Sequence, residues 1–309
     1  MGPAITDRRQ RRATPLGSPA GSSCASASPQ GSSPTRWHQA LFPVLRFGAL
    51  VIGIGLVLSL LVMLIMPWIN FSWWRIFRRC VSFAAAASLW LIVRKHERRS
   101  LRSYGFTEVF RVGKRQALVG ALVGLGAVSL MLGTYLASDI CRLAIHPDRL
   151  KLWRTVLGFV PAAALVGVLE ELVFRGFILQ RLLPWSRATA VIGSSAVYAA
   201  VHLRTTALAL ATCLELGGLF LLGVVLSLSY LRTRQLYFAV GLHAALAYGA
   251  RVNKVLLTFP DPSGAAWLVG TSRLVNGLIG WMGLLGIGAL VLWWLRSSNA
   301  GEGGHIHGT

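Results

Sequence analysis

The chain has 309 residues, of which 54% are hydrophobic and only 13% charged, and its formal net charge is +21. That composition excludes a disordered chain and an ordinary soluble domain. The basic excess does not call for a nucleic-acid partner, because Lys and Arg lie mostly between long apolar runs, where membrane orientation and anionic lipid account for them.

Residues 1–43 read as a disordered, basic, Ser/Pro/Gly-rich tail. "TPLGSPAGSSCASASPQGSSPT" has no periodicity, and "DRRQRR" adds a basic cluster. An Arg- and Ser-rich, acid-poor start also fits a transit peptide, and "MGPAIT" formally fits the myristoylation pattern, with Pro3 against it. The reading taken here is a cytoplasmic tail. No cleavable signal peptide is expected, since the first apolar run starts late and no small-residue cleavage site follows it.

About eight apolar segments follow, by span length and loop charge. They are Val44–Met66, Ile76–Val93, Ala117–Ala137, Thr155–Leu179, Ala188–Leu203, Ala207–Tyr230, Leu236–Leu257 and Val275–Leu295. The second and fifth are short. The fold class predicted is therefore an all-α, polytopic integral membrane protein. Its parts are a tail over 1–43, N-terminal helices over 44–137, a core over 155–257, a last helix over 275–296 and a flexible tail over 297–309. "RKHERRSLRSYGFTEVFRVGKR" is the most basic loop, which places it and the N-terminus in the cytoplasm. The outer loops then carry Arg75, Arg78, Arg79, Arg142, Arg149, Lys151 and Arg154, against the rule, with Asp139, Asp148 and Asp261. No internal repeat supports an inverted-repeat transporter.

Smaller features have plain expectations. The cysteines Cys24, Cys80, Cys141 and Cys213 are far apart and read as isolated thiols. "SWW" and "LWW" at segment ends read as interfacial anchors, and "GALVG" (120–124) as a small-residue packing face within the chain. "HIHGT" reads as a solvated end.

The chemistry lies in "GVLEELVFRGFIL" (167–179), which places Glu170, Glu171 and Arg175 in an apolar run. Charges there must be paired or wet, and they mark function. On a helix Glu171 faces Arg175 one turn on, which explains those two as an ion pair. Glu170 is left over, about 100° round the helix. A spare carboxylate in low dielectric suits a general base. Two later segments add His202, one turn after Tyr198, and His243. One Glu and two His can hold a water, or a zinc ion at Glu170, His202 and His243; the spacing does not choose. Glu215 reads as a protonated or paired acid, or as a gate, with Gly217 and Gly218 allowing a close helix approach.

These residues resemble the CPBP family of intramembrane proteases, which includes the CAAX prenyl endopeptidases. The family is marked by EExxxR, FxxxH and HxxxN on separate helices. Here the first is complete at Glu170, Glu171 and Arg175, the second is Tyr198-x-x-x-His202, and the third keeps His243 but has Ala247 for Asn. The stretch "FLLGVVLSLSYLRTRQLYFAVGLH" is also similar, and the resemblance covers roughly Thr155 to Leu257. It implies peptide-bond hydrolysis at or in the membrane by a mechanism once read as metal-dependent and now closer to a glutamate protease. By that similarity Glu170 and His202 activate water, Glu171 and Arg175 brace the site with Tyr198 beside them, and His243 stabilises the oxyanion. No cofactor is required, with zinc as the alternative. The substrate is a membrane-anchored or membrane-delivered peptide or protein: a prenylated protein, a sorting-signal protein and a signalling peptide are all compatible.

Two other classes remain open. Ala247, which donates nothing, favours a non-catalytic scaffold or immunity-type member of the same fold, or an impaired enzyme. Intramembrane Glu and His also suit a proton-coupled transporter. The expected location is a cell membrane, with a bacterial inner membrane favoured by the lack of an organellar or retention signal.

Overall fold

A computed structural model of the chain describes residues 34–68, 71–203, 210–259, 266–269 and 277–302. Most of the tail, Cys24, Asp261 and "HIHGT" lie outside the described residues.

Helix α1 spans Pro34–Ile65, so it starts within the segment expected as tail, and Pro43 lies inside it. Pro34 suits a helix start, where its fixed φ is already helical and its missing N–H has no partner to lose. Helix α2, Trp73–Leu91, runs on into a π-helical turn at Ile92–His96. A short 3₁₀ turn at Leu101–Tyr104 leads to α3, Phe110–Ala137. Strand β1, Arg142–Leu143, pairs antiparallel with β2, Leu257–Thr258.

The next helix is broken rather than straight. Helix α4, Arg149–Val156, is capped by Asp148, whose carboxylate accepts from the Lys151 backbone N–H at 3.0 Å. Helix α5, Phe159–Glu171, passes into a π-helix at Leu172–Leu179 and then α6, Gln180–Leu182. Helices α7 (Arg187–Val201), α8 (Leu210–Thr233), α9 (Tyr237–Leu256), α10 (Ala266–Val269) and α11 (Leu278–Glu302) complete the order.

Among the described residues, five helical stretches are long and apolar enough to cross a membrane: Leu41–Ile65, Trp73–His96, Phe110–Ala137, Arg149–Leu182 and Leu210–Thr233. A shorter apolar helix covers Leu278–Trp294. The all-α polytopic architecture holds, while the remaining expected segments correspond to α7, with 15 residues, and α9, with 20. Helix α9 packs on α3, α5 and α8, which buries His243 and Asn253, while its charged Arg251 and Lys254 are exposed toward its C-terminal end. A helix inside a bundle needs less apolar surface than one facing lipid.

The other most extensive pairs are α1 with α2, α7 with α8, and α8 with α11. Leu222, Leu226, Leu242, Leu246 and Phe177 fill the core, while Leu45, Ile52 and Leu64 of α1 and Phe110 and Leu130 of α3 face outward. The small-residue face at Gly120 and Gly124 does pack within the chain. A Cβ on Gly120 would meet the Phe238 carbonyl oxygen at 2.1 Å, and one on the facing Gly241 would meet the Ala117 oxygen at 1.9 Å. Only glycine permits the α3–α9 crossing at that distance. Cys80, Cys141 and Cys213 are free thiols. Trp73 and Trp74 are exposed, as interfacial anchors are, but Trp294 packs on Phe238 and beneath the Arg232 guanidinium.

Candidate active site

Three helices deliver the predicted residues to one place. Glu170 and Glu171 end α5, Arg175 sits in the π-helix, Tyr198 and His202 close α7, and His243 projects from α9. Glu171 and Arg175 are both fully buried, and Arg175 Nη1 donates to Glu171 Oε1 at 2.8 Å. Nη2 of the same guanidinium donates to the Gly223 carbonyl of α8 at 3.1 Å. Its plane lies 4.8 Å from the Tyr198 ring and 5.8 Å from that of Phe174. A buried guanidinium is tolerated because a carboxylate, a carbonyl and two ring faces surround it.

The π-helix changes the local register. Its wider turn alters the helix hydrogen-bond ladder, and the Phe174 carbonyl accepts from Ser194 Oγ of α7 at 2.9 Å. That bond ties α7 to the helix carrying both glutamates.

Glu171 is more than half of an ion pair. Its Oε1 also lies 2.7 Å from His243 Nδ1. An ionised carboxylate only accepts, so Nδ1 carries the proton and Nε2 turns toward Glu170. His202 is fixed in the same sense, because its Nδ1 lies 2.8 Å from the Tyr198 carbonyl, which also only accepts. Both Nε2 atoms therefore face one oxygen. Glu170 Oε2 is 3.7 Å from His202 Nε2 and 3.6 Å from His243 Nε2. Those separations are too long for direct hydrogen bonds, and Oε2 is buried with no hydrogen-bond partner. They suit a single bridging oxygen atom. Tyr198 holds the two imidazoles apart, with ring centroids 4.6 Å from His202 and 6.1 Å from His243.

Access is one-sided. The side chains of Glu170 and His202 are 28% and 27% exposed, against 5% for His243 and 0% for Glu171. A reactant must approach from the Glu170–His202 side.

Ala247 lies one turn beyond His243 and offers no side-chain donor. The adjacent Tyr248 does not replace it, since its hydroxyl donates to the Val156 carbonyl at 2.8 Å. Asn253 is ten residues from His243, about 15 Å along the helix axis. Glu215 is buried on α8, eight residues before Gly223 and so about 12 Å along the axis from the turn that meets Arg175. The glycine beside it does admit a close neighbour: Trp281 of α11 covers Gly217 and donates to the Leu214 carbonyl at 3.1 Å.

No group of three His, Cys, Asp or Glu side chains among the described residues is arranged to hold a metal ion. Zinc needs its donors at about 2.0–2.2 Å.

The bundle defines a polytopic membrane protein, with a carboxylate–imidazole cluster gathered from three of its helices. Residues 152–248 match the family model described as Type II CAAX prenyl endopeptidase Rce1-like. That range contains Glu170, Glu171, Arg175, Tyr198, His202, His243 and Ala247, and it agrees with the resemblance to the CPBP family. The match supports a CAAX-type intramembrane protease fold for that segment. No curated protein matches the chain.

Proposed function

We propose that the chain is an intramembrane endopeptidase that cleaves a membrane-anchored or membrane-delivered peptide or protein with a water activated by Glu170 and His202. The observation that carries this reading is the orphaned Glu170 Oε2 facing two imidazole Nε2 atoms at 3.6 and 3.7 Å.

A water in that gap donates one proton toward Glu170 and the other toward His202 Nε2, leaving its lone pair for the substrate carbonyl. Glu170 takes the proton as the C–O bond forms, and the carbonyl becomes an oxyanion. His243 donates to the oxyanion from Nε2 when its ring carries both protons, with Nδ1 held by the Glu171 carboxylate at 2.7 Å. Glu170 then returns its proton to the leaving amine as the C–N bond breaks. Glu171 and Arg175 touch no reacting atom and hold His243 in place.

The test is a paired digestion. Wild type and Glu170→Gln, purified in detergent, are compared by mass spectrometry on a membrane-protein library, with and without a zinc chelator. Cleavage lost in Glu170→Gln and kept with chelator supports the reading. Loss with chelator would restore zinc at Glu170, His202 and His243. No Glu170-dependent cleavage would overturn the protease and leave the non-catalytic scaffold, which Ala247 favours. Proton flux in liposomes that stops in Glu170→Gln would instead establish a transporter.

A further inference from the structure

Three of the arginines that broke the orientation rule gather in one place. Arg75, Arg78 and Arg79 stand at i, i+3 and i+4 on the opening turns of α2 and so share a face of that helix. With Ser72 and Trp74 they line a cavity of about 550 Å³. That volume is within the usual range for small-ligand sites, about 300–1,000 Å³. All three arginines are exposed, and among the described residues no carboxylate pairs with any of them. Arg75 is steadied by Phe71, with its guanidinium 5.2 Å from the ring centroid.

The depth of the cavity is set by what flanks it. It lies on the opening turns of the candidate span that starts at Trp73, just after the connection from the one that ends at Ile65. Trp73, Trp74 and Phe77 form a run of ring contacts there, at 5.3 to 6.3 Å between centroids. Tryptophans on such a helix end settle at the headgroup level. Arginine stems lie along apolar surface while their heads reach the interface. Three like charges on one helix face repel one another unless an anion sits among them. At that depth the anion available is a lipid phosphate, and guanidinium is the side chain suited to bidentate phosphate contact.

We propose that Ser72, Trp74, Arg75, Arg78 and Arg79 form a binding site for the headgroup of an anionic phospholipid, on the membrane face opposite the basic loop at residues 94–115. The site suits a phosphodiester with its glycerol and acyl chains more than a free anion, because exposed Trp74 lines the cavity and exposed Trp73 stands next to it. Neither Glu170 nor the histidines take part.

Full-length protein in detergent micelles tests it. Phosphatidylglycerol, phosphatidylcholine and inorganic phosphate are titrated against thermal unfolding, and retained lipid is counted by native mass spectrometry. The expected result is a saturable stabilisation by phosphatidylglycerol alone. The triple variant Arg75→Gln, Arg78→Gln, Arg79→Gln should bind it at least tenfold more weakly. Equal stabilisation of wild type and variant would place the lipid elsewhere, for example on the basic loop, and overturn the proposal. An equal effect of phosphatidylcholine would overturn it as unspecific, and an equal effect of phosphate would overturn the lipid in favour of a free anion. If the triple variant does not fold, Arg78→Gln alone is read by lipid retention: a several-fold drop supports the site, and no change sinks it.

Discussion

Glu171 accepts from His243 Nδ1 at 2.7 Å across 72 residues of sequence, and that bond decides which imidazole nitrogen meets Glu170. The same oxygen accepts from Arg175 at 2.8 Å. One buried carboxylate oxygen therefore fixes a neighbour on its own helix and the imidazole of another. Several measurable consequences come from that arrangement and from the packing that supports it.

Glu170→Gln keeps the shape of the side chain and removes the base. Proteolytic kcat should fall by about 10²–10⁴, the usual share of a general base. The thermal midpoint should stay within a few degrees, because Glu170 Oε2 has no hydrogen-bond partner to lose. Unchanged turnover would remove Glu170 from the chemistry.

Arg175→Ala should behave differently. It leaves Glu171 buried with its counter-charge gone, and it removes the donor to the Gly223 carbonyl. Breaking one side of a buried ion pair costs about 3–5 kcal/mol. Thermal or denaturant unfolding in detergent reads this directly. A loss below about 1 kcal/mol would show that water reaches the pair.

Ala247→Asn restores a side-chain donor one turn beyond His243. A single oxyanion donor is worth about 10²–10³ in kcat. A gain of tenfold or more in kcat, with little change in KM, is the expected outcome. No gain would show that a donor elsewhere already serves the oxyanion.

Gly241→Ala tests the α3–α9 crossing. Its Cβ would lie 1.9 Å from the Ala117 carbonyl oxygen, a backbone atom that cannot turn aside. The helices must separate, at about 1–3 kcal/mol for overpacking. Because α9 carries His243 two residues on, activity should drop with stability. Gly126→Ala of α3, where a Cβ meets nothing within 4 Å, is the control expected to be silent.

Tyr104 offers a pH signature outside the spans. Burial, and then the hydrogen bond it donates to Glu97, push its hydroxyl up from 10.0 to about 12. A raised phenol favours the neutral form in the folded state. Its stabilising contribution is therefore complete below pH 10 and is lost as pH rises through about 12. Tyr104→Phe should flatten the alkaline limb of the stability profile in that window. An identical limb would show that the contact with Glu97 does not persist in solution.

The sequence determined a good part of this protein. Long apolar runs, basic loops and intramembrane charges gave the all-α polytopic class, because hydrocarbon tolerates only backbone that satisfies its own hydrogen bonds. Spacing paired Glu171 with Arg175, since four residues make one helical turn, and it left Glu170 as the spare carboxylate. Motif order joined Glu170, His202 and His243. What it left open were contacts between distant segments and departures from the regular helix. No spacing rule links Glu171 to His243, and only the packing of α5 on α9 brings them together. Nothing in "LVFRGFIL" announces a π-helix, whose wider turns tertiary packing selects. The helical start at Pro34 sat inside a stretch that composition marked as tail, because composition averages over a window and a helix boundary does not. Helix α9 sets its polar His243 and Asn253 against protein rather than lipid, a fact that only the tertiary structure supplies.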